Sequence, residues 1–467
     1  MPKKSTRISL LVIFSLILII LGIFHYRDRV STNDQPAIHA LSSTNQNALH
    51  YVFPNDNSFH LPPNTQSKLT KNYLRRYFSP WHTKDTAHLK QKVKTFEALM
   101  AKRFITQPGY GENRQPYTSR WIKPIINNMK VSHLTQYASQ KGLSIRDTNV
   151  RMLPTMDPSF DAWNKAGEGY PFDYLQYTYI YANTPVLILN TSKDGLWYLI
   201  KTNAYIGWVR NDSIAFVDRH FIKQWENQKY IVITKEHTPA FNHTKRFALR
   251  THVGILYPLI KITPKNYTVL SAVMAHNKAD TTSVYLPKDR ASTFPLPLTP
   301  AEIATIINND FIGDVYSWGS FNGHHDCSAT IMDLMSLFGI YLPRSSSHQI
   351  LATYSTSVTR LNNFQKEQFI IKHGIPFLTL LHSPGHVLLY IGHKNKHVYV
   401  LQSMWGLKTR NLLGKMRRSI VGQAVITPLN FGEKYINVTH THLDTLDKIA
   451  LLTHLRKESV IYNIHFQ

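Results

Sequence analysis

Cys327 is the only cysteine in a chain of 467 residues. No intramolecular disulfide can form, so apolar burial and hydrogen bonding alone must hold every folded unit. The supply is ample: 43% of residues are hydrophobic and 12% aromatic, which excludes a globally disordered or low-complexity chain. At roughly 100–200 residues per domain, the length predicts about two to four domains. A lone cysteine is either a small buried residue or a reactive thiol. Its neighbours have to decide which.

The N-terminus sets the compartment. Lys3, Lys4 and Arg7 precede 17 uncharged, mostly apolar residues at 8–24. That is longer than the roughly 7–15-residue core of a signal peptide and fits the roughly 17–25 of a spanning helix. The following His25-Tyr26-Arg27-Asp28-Arg29 is a poor small-x-small cleavage site. Residues 1–30 are therefore expected to be an uncleaved signal anchor, a single N-terminal membrane span, with a cleaved signal peptide as the alternative. The leading positive charges keep the N-terminus inside, so the rest of the chain is expected outside the cytoplasm, in the periplasm or cell envelope. Charge then gains a meaning. There are 53 Lys+Arg against 28 Asp+Glu, a formal net of +25, and little of it lies in residues 1–30. An exported cationic chain meets no nucleic acid; its expected partner is an anionic wall polymer or membrane surface.

The texture changes along the chain. Residues 31–67 are rich in Ser, Thr, Asn, Gln and Pro with no apolar period, which predicts a flexible tether. Residues 68–130 are mainly helical: Leu89, Val93, Phe96, Leu99 and Met100 recur at helical spacing. Between 131 and 290, short alternating runs at 177–181, 185–189, 197–201 and 205–209, and again at 230–234, 246–252, 254–259 and 267–272, are separated by turn signals. This predicts two small β-barrels, 131–218 and 219–290. Residues 291–467 read as α then β, opening on a helix capped by Thr299 with Pro300 at its first position.

The cysteine lies in this last part. Ile331, Leu334, Met335 and Phe338 form one apolar stripe, Asp326 is a good N-cap, and Gly339 followed by Pro343 ends the helix. Cys327 thus falls in the first turn, where the helix dipole is expected to lower the thiol pKa. A thiolate nucleophile needs a base. His386 opens an apolar strand after the Ser383-Pro384-Gly385 turn, and a hairpin near Lys394 would set Gln402 directly opposite it. Both side chains would then share a face, with Gln402 orienting the imidazole; a one-residue slip would break the arrangement.

These residues carry a family likeness. Tyr316-Ser317-Trp318-Gly319, Asp326-Cys327-Ser328, Phe338-Gly339, Leu342-Pro343-Arg344 with Ser346 and Gln349, Pro384-Gly385-His386, and Trp405-Gly406 closely resemble the NlpC-type cysteine endopeptidases of bacterial cell walls. Upstream, Arg151-Met152-Leu153-Pro154-Thr155, the run from Gly169 to Gln176 and Ser192-Lys193-Asp194-Gly195 look like the first SH3-like domain of one subset. Tyr77-Phe78-Ser79-Pro80-Trp81 and Tyr110-Gly111-Glu112-Asn113 look like its N-terminal stabilising domain. The resemblance implies an α+β fold: a papain-like catalytic domain at 291–467, two SH3-like barrels, and a mainly helical N-terminal domain. It also implies hydrolysis of the bond between γ-D-glutamate and a diamino acid in the peptidoglycan stem, without a metal or other cofactor. Cys327 would be the nucleophile, His386 the base and acid, and Gln402 the orienting group, a mild departure from the more frequent His. Tyr316, Trp318, Asp326 and Ser328 would shape the substrate groove. Relatives often need a free N-terminal L-Ala, whose amine would meet Asp326 and an acid from the first SH3-like domain, Glu168 or Asp173.

Other signals are weaker. His440-Thr441-His442 has the alternation of a metal-binding strand, but no further clustered ligand is evident. His324-His325 reads as a polar loop beside the cysteine. The competing reading of the whole chain is a catalytically idle, membrane-tethered wall-binding protein.

Overall fold

The computed structural model describes residues 15–17, 34–36, 41, 44–52, 59, 61–83, 86–129, 140–163, 165, 168–227, 229–411, 414–435 and 437–456. The apolar run at 8–24 lies outside them except for residues 15–17. Among the described residues no helix is long and apolar enough to cross a membrane.

The helical unit comprises α1 (Thr65–Tyr77), α2 (Ser79–His82), α3 (Thr86–Thr106) and α4 (Ser119–Asn128). The periodic stripe of α3 behaves as its spacing predicts: Val93, Phe96 and Met100 are almost fully buried, although Leu99 stays exposed. That face packs with Ile122 of α4 against Leu187, Leu199 and Trp208 of the strands that follow. α1 and α2 face elsewhere. Their Tyr73, Tyr77 and Trp81 share a core with Phe338, Ile340 and Leu342 near the C-terminal sheet. The helices therefore bridge two units, each apolar face finding a different partner.

Seven short strands follow: β2 (Gln140–Ser144), β3 (Thr148–Arg151), β4 (Gln176–Ile180), β5 (Pro185–Thr191), β6 (Trp197–Lys201), β7 (Ile206–Arg210) and β8 (Ile214–Phe216). After α5 (Arg219–Trp225) come β9 (Tyr230–Ile233), β10 (Thr238–Asn242), β11 (Phe247–Thr251), β12 (Leu256–Ile262), β13 (Asn266–Ala275), β14 (Lys278–Pro287) and β15 (Ala291–Thr293). The two strand-rich units meet at His252. Its Nε2 lies 2.8 Å from Asp147 of the first and its Nδ1 2.8 Å from Glu236 of the second, and Tyr181 stacks on the ring at 4.4 Å. Burial opposes charge on this imidazole, but the two carboxylates outweigh it and raise the group to about 9.

The C-terminal unit holds α6 (Pro300–Ile306), α7 (Cys327–Ser336), α8 (Ser346–Leu351), α9 (Asn363–His373) and α10 (His442–Thr445). They accompany a seven-stranded sheet. Its strands are β16 (Thr353–Ser357), β17 (Thr379–Ser383), β18 (His386–Lys394), β19 (His397–Arg410), β20 (Met416–Pro428) and β21 (Lys448–Leu455), with β1 (Asp34–Pro36) added from the N-terminal side. The order is β1-β20-β19-β18-β17-β21-β16. Every pairing is antiparallel except that of β1 with β20.

Where it is described, part of the range 31–67 expected as a tether is seated on this sheet. Beyond β1, the Gln46 side chain donates to the Ile426 carbonyl at 2.8 Å and accepts from the Ile426 N–H at 2.9 Å. The Ala48 N–H donates to Asn308 Oδ1 at 2.7 Å, and Ala48 and Tyr51 are buried. Residues 44–52 form a strap on the C-terminal sheet. It shows no apolar period because polar side chains satisfying distant main-chain groups hold much of it.

The His252 bridge makes stability depend on pH. Its imidazole sits near 6.5 unfolded and about 9 folded, so its contribution is complete below about 6.5 and is lost as pH rises through 9. The melting temperature should fall over that range, and His252→Gln should make the fall shallower. An unchanged slope in the variant would remove the bridge from the account.

Candidate active site

Asp326 caps α7 by accepting from the Ala329 N–H at 3.0 Å, so Cys327 is the first helical residue, as the stripe and cap predict. The carboxylate does more than cap. Arg344 holds it bidentately, through Nη1 to Oδ1 at 2.9 Å and Nη2 to Oδ2 at 2.7 Å. The other guanidinium donors reach Thr178 Oγ1 on β4 at 2.7 Å, Ser328 Oγ at 2.8 Å and Ser320 Oγ at 2.9 Å. All five N–H groups are thus used in a buried setting. The loop before α7 is pinned to the same strand: Gln176 Nε2 donates to the Gly319 carbonyl at 3.1 Å. Gly319 has φ +62°, and a Cβ there would come within 2.8 Å of the Gln176 carbonyl oxygen, so only glycine allows this approach.

His386 opens β18, and its Nε2 lies 2.8 Å from Gln402 Oε1 on β19. Gln402 Nε2 donates to Thr427 Oγ1 at 2.7 Å on β20. That second bond orients the amide, so Oε1 accepts from His386 Nε2–H and Nδ1 is left as the basic nitrogen. The register differs from the expected one. The hairpin turns at Asn395-Lys396, with Lys394 opposite His397, and a bulge between Tyr390 and Gly392 shifts the pairing to Leu389 opposite Leu401. Continued, this sets Gln402 opposite Leu388, so His386 and Gln402 are a diagonal pair. The tip register alone would have put them on opposite faces; the bulge restores the parity.

The start of β18 meets the start of α7, where the Val387 backbone N–H is directed at the Cys327 sulfur. Burial, then the Asp326 charge, push the thiol up to about 12, against the Val387 and Ser328 N–H groups and Arg344. The dipole-lowered thiol expected from the helix position is thus overturned, because burial and a neighbouring carboxylate outweigh the helix end. Burial also lowers His386 to about 4, against its bond to Gln402. Both shifts favour the neutral thiol and the neutral imidazole.

His442 lies parallel on the His386 ring, with centroids 4.5 Å apart and planes at 12°. Thr441 is the N-cap of the short α10, so the alternating metal-binding strand suggested by His440-Thr441-His442 does not form. His325, expected in a polar loop, is buried with Nδ1 2.6 Å from Asp314 and Nε2 3.2 Å from Asp333. These carboxylates overcome burial and raise it to about 10.

The sulfur opens on a cavity of about 320 Å³. Tyr316, Trp318, Asp326, Cys327 and Ser328 all line it, together with β6–β7 residues and the face of α3 bearing Lys92, Phe96 and Arg103. His386 and Gln402 are not among its lining residues, but Gly385, the chain neighbour of His386, is. Glu168 and Asp173 are not among the lining residues. Asp173 is committed to Arg151 at 2.6 Å and to the Ser159 and Leu175 N–H groups, and Glu168 is exposed beside Lys165. The functional roles of Thr427, His442 and Arg344 were missed in the sequence; only Arg344 carried a signal there, in the Leu342-Pro343-Arg344 motif.

Comparison with known proteins accords with this geometry. Four family models match: the NLPC_P60 stabilising domain at 13–134, an SH3 domain of SH3b1 type at 158–210, an SH3 domain of SH3b2 type at 218–264, and the NlpC/P60 family at 313–419. The chain belongs to the NlpC/P60 family of cell-wall peptidases, in a form carrying a stabilising domain and two bacterial SH3 domains. An NlpC/P60 endopeptidase from Photobacterium damselae subsp. piscicida is similar at 26% identity and a TM-score of 0.80, over 91% of this chain and 100% of that one. An NlpC/P60 family protein from Bacillus cereus shares 15% identity at a TM-score of 0.43, over 60% of this chain and 82% of that one. No curated protein matches.

Removing Arg344 should strand the Asp326 charge. Arg344→Met is expected to cost about 3–5 kcal/mol in urea unfolding. Asp326→Asn in that background keeps a cap while removing the charge, and should recover part of the loss. No recovery would mean that the hydroxyl contacts, not the ion pair, carry the effect.

Proposed function

We propose that the protein is a peptidoglycan hydrolase, a cysteine endopeptidase that cleaves the bond between the γ-D-glutamyl residue and the diamino acid, meso-diaminopimelate or lysine, of murein stem peptides. The observation that carries this reading is that the sulfur of Cys327, at a helix start on the cavity wall, is met by the backbone N–H of Val387, the residue that follows His386 of the chain His386–Gln402–Thr427. His386 Nδ1 takes the thiol proton as sulfur attacks the γ-carbonyl carbon of D-Glu. Backbone N–H groups at the start of α7, including that of Cys327, receive the oxyanion. The imidazolium then gives its proton to the leaving amine, and a thioester remains on Cys327. Water, deprotonated by His386, releases the γ-carboxylate and restores the thiol. Neutral partners suit this cycle, because burial penalises a standing ion pair and the charge exists only while the reaction uses it.

The SH3 domains and the formal net charge of +25 support binding to the anionic wall, outside the cytoplasm. The apolar segment at 8–24 would hold the enzyme at the membrane. Asp326 is neutralised by Arg344, and no second carboxylate lines the cavity among the described residues. This favours intact stems over a requirement for a free L-Ala amine.

Cys327→Ala should abolish release of products from L-Ala-γ-D-Glu-diamino-acid peptides while retaining sacculus binding. Cleavage surviving that change would end the mechanism, and cleavage absent from the unaltered protein would favour the idle wall-binding reading. Digestion of sacculi beside free tripeptide, read by product mass, tests the amine requirement.

The acid limb of kcat/KM should lie nearer 4 than 6.5, because His386 must be neutral to act. The groups facing its ring are Gln402, Asp326, His382, Arg418 and His442. His442→Ala admits water and should move the limb upward, whereas His442→Phe keeps the stack and should leave it low. Superimposable profiles for all three proteins would deny the stack any part in tuning His386.

A further inference from the structure

Arg103 stands on the cavity wall with no hydrogen-bond or carboxylate partner among the described residues. It projects from α3, on the face that also brings Lys92 and Phe96 to the cavity of Cys327. Its guanidinium lies 5.4 Å from the centre of the Tyr174 ring and 5.5 Å from that of Phe104. Burial lowers its pKa, opposed by Tyr174. No hydrogen bond or carboxylate contact engages it among the described residues, unlike Arg151 and Arg344, each of which is locked to an aspartate. A guanidinium stacked on rings leaves its in-plane N–H fork for an anion, and Arg103 is only half-buried, so that fork stays open to whatever enters the cavity. Among the described residues the only carboxylate on the wall, Asp326, is already spent on Arg344. An anion for this fork would come from a ligand in the cavity.

We propose that Arg103 receives a carboxylate of the stem peptide and thereby sets specificity from the helical N-terminal unit. The proposal rests on the stem-peptide reading above. A stem peptide fits because it carries several carboxylates: on the α-carbon of D-Glu, on the diamino acid when that is diaminopimelate, and at its C-terminus. Planar, bidentate capture by Arg suits such a group. Lys92 and Lys201 on the same wall add a field of the same sign. α3 is thus a wall of the binding groove as well as a support for the barrel beneath it.

The test uses the full chain carrying Cys327→Ala, with Arg103 or Arg103→Gln, and calorimetry with L-Ala-γ-D-Glu-meso-diaminopimelyl-D-Ala. Three further peptides each have one carboxylate replaced by carboxamide. With Arg103 present, one amidation should weaken binding by about 10- to 100-fold; with Arg103→Gln, the parent should bind that much more weakly and the same amidation should no longer matter. Arg103→Lys keeps the charge without the fork and should fall between. In the active enzyme Arg103→Gln should raise KM with kcat little changed. Parent binding unaffected by Arg103→Gln, or an amidation penalty that persists in it, overturns the role of Arg103 alone. Failure of all four peptides to bind with Arg103 present overturns the stem-peptide reading together with it.

Discussion

The buried pair of Arg344 and Asp326 is the contact on which the site depends. One guanidinium ties the cap of the cysteine helix, the loop before it and strand β4 of the first SH3 domain into a single network. Burying two charges is expensive, and such a pair seldom contributes much net stability over apolar substitutes. What it supplies is position. The carboxylate cannot leave the helix start without stranding the arginine, and the arginine cannot turn without losing β4. The barrel is thereby held at a set distance and angle from the sulfur, and the groove between them has rigid walls.

The same pair shapes the electrostatics. Asp326 alone would make a thiolate beside it very unfavourable, and Arg344 offsets part of that. Burial still favours a neutral thiol and a neutral imidazole. His442 reinforces this by covering one face of His386 with a second neutral ring. His325, two residues before Cys327, lies in the opposite regime: an imidazole held between two aspartates that favour its charged form. Two histidines of one small region are thus driven in opposite directions, one by burial without an acid and one by acids despite burial.

How much of this was legible in the sequence follows from how local each cause is. The Cys327 helix was readable because its cap, stripe and terminating glycine are all within a few residues of one another. The alternating runs of the barrels were readable for the same reason. His386 and Gln402 could be paired by face but not by register, because the bulge at Tyr390–Gly392 leaves no mark in the apolar pattern. The strap at 44–52 was read as a tether because Gln46 finds its partner at Ile426, far along the chain. The thiol's direction of shift was misjudged because the helix end is a local feature, whereas burial is a property of the assembled fold.

The bulge in the β18–β19 hairpin has one more implication, for how such a chain can vary. A hairpin whose two ends must present side chains on one face tolerates length changes in pairs. A single-residue deletion at the exposed Asn395-Lys396 tip would look harmless, far from the sulfur and on the surface. It would nonetheless force a choice between losing the bulge and turning Gln402 away from His386. Chains of this architecture should therefore differ there by even numbers of residues, or by an odd number accompanied by gain or loss of the bulge.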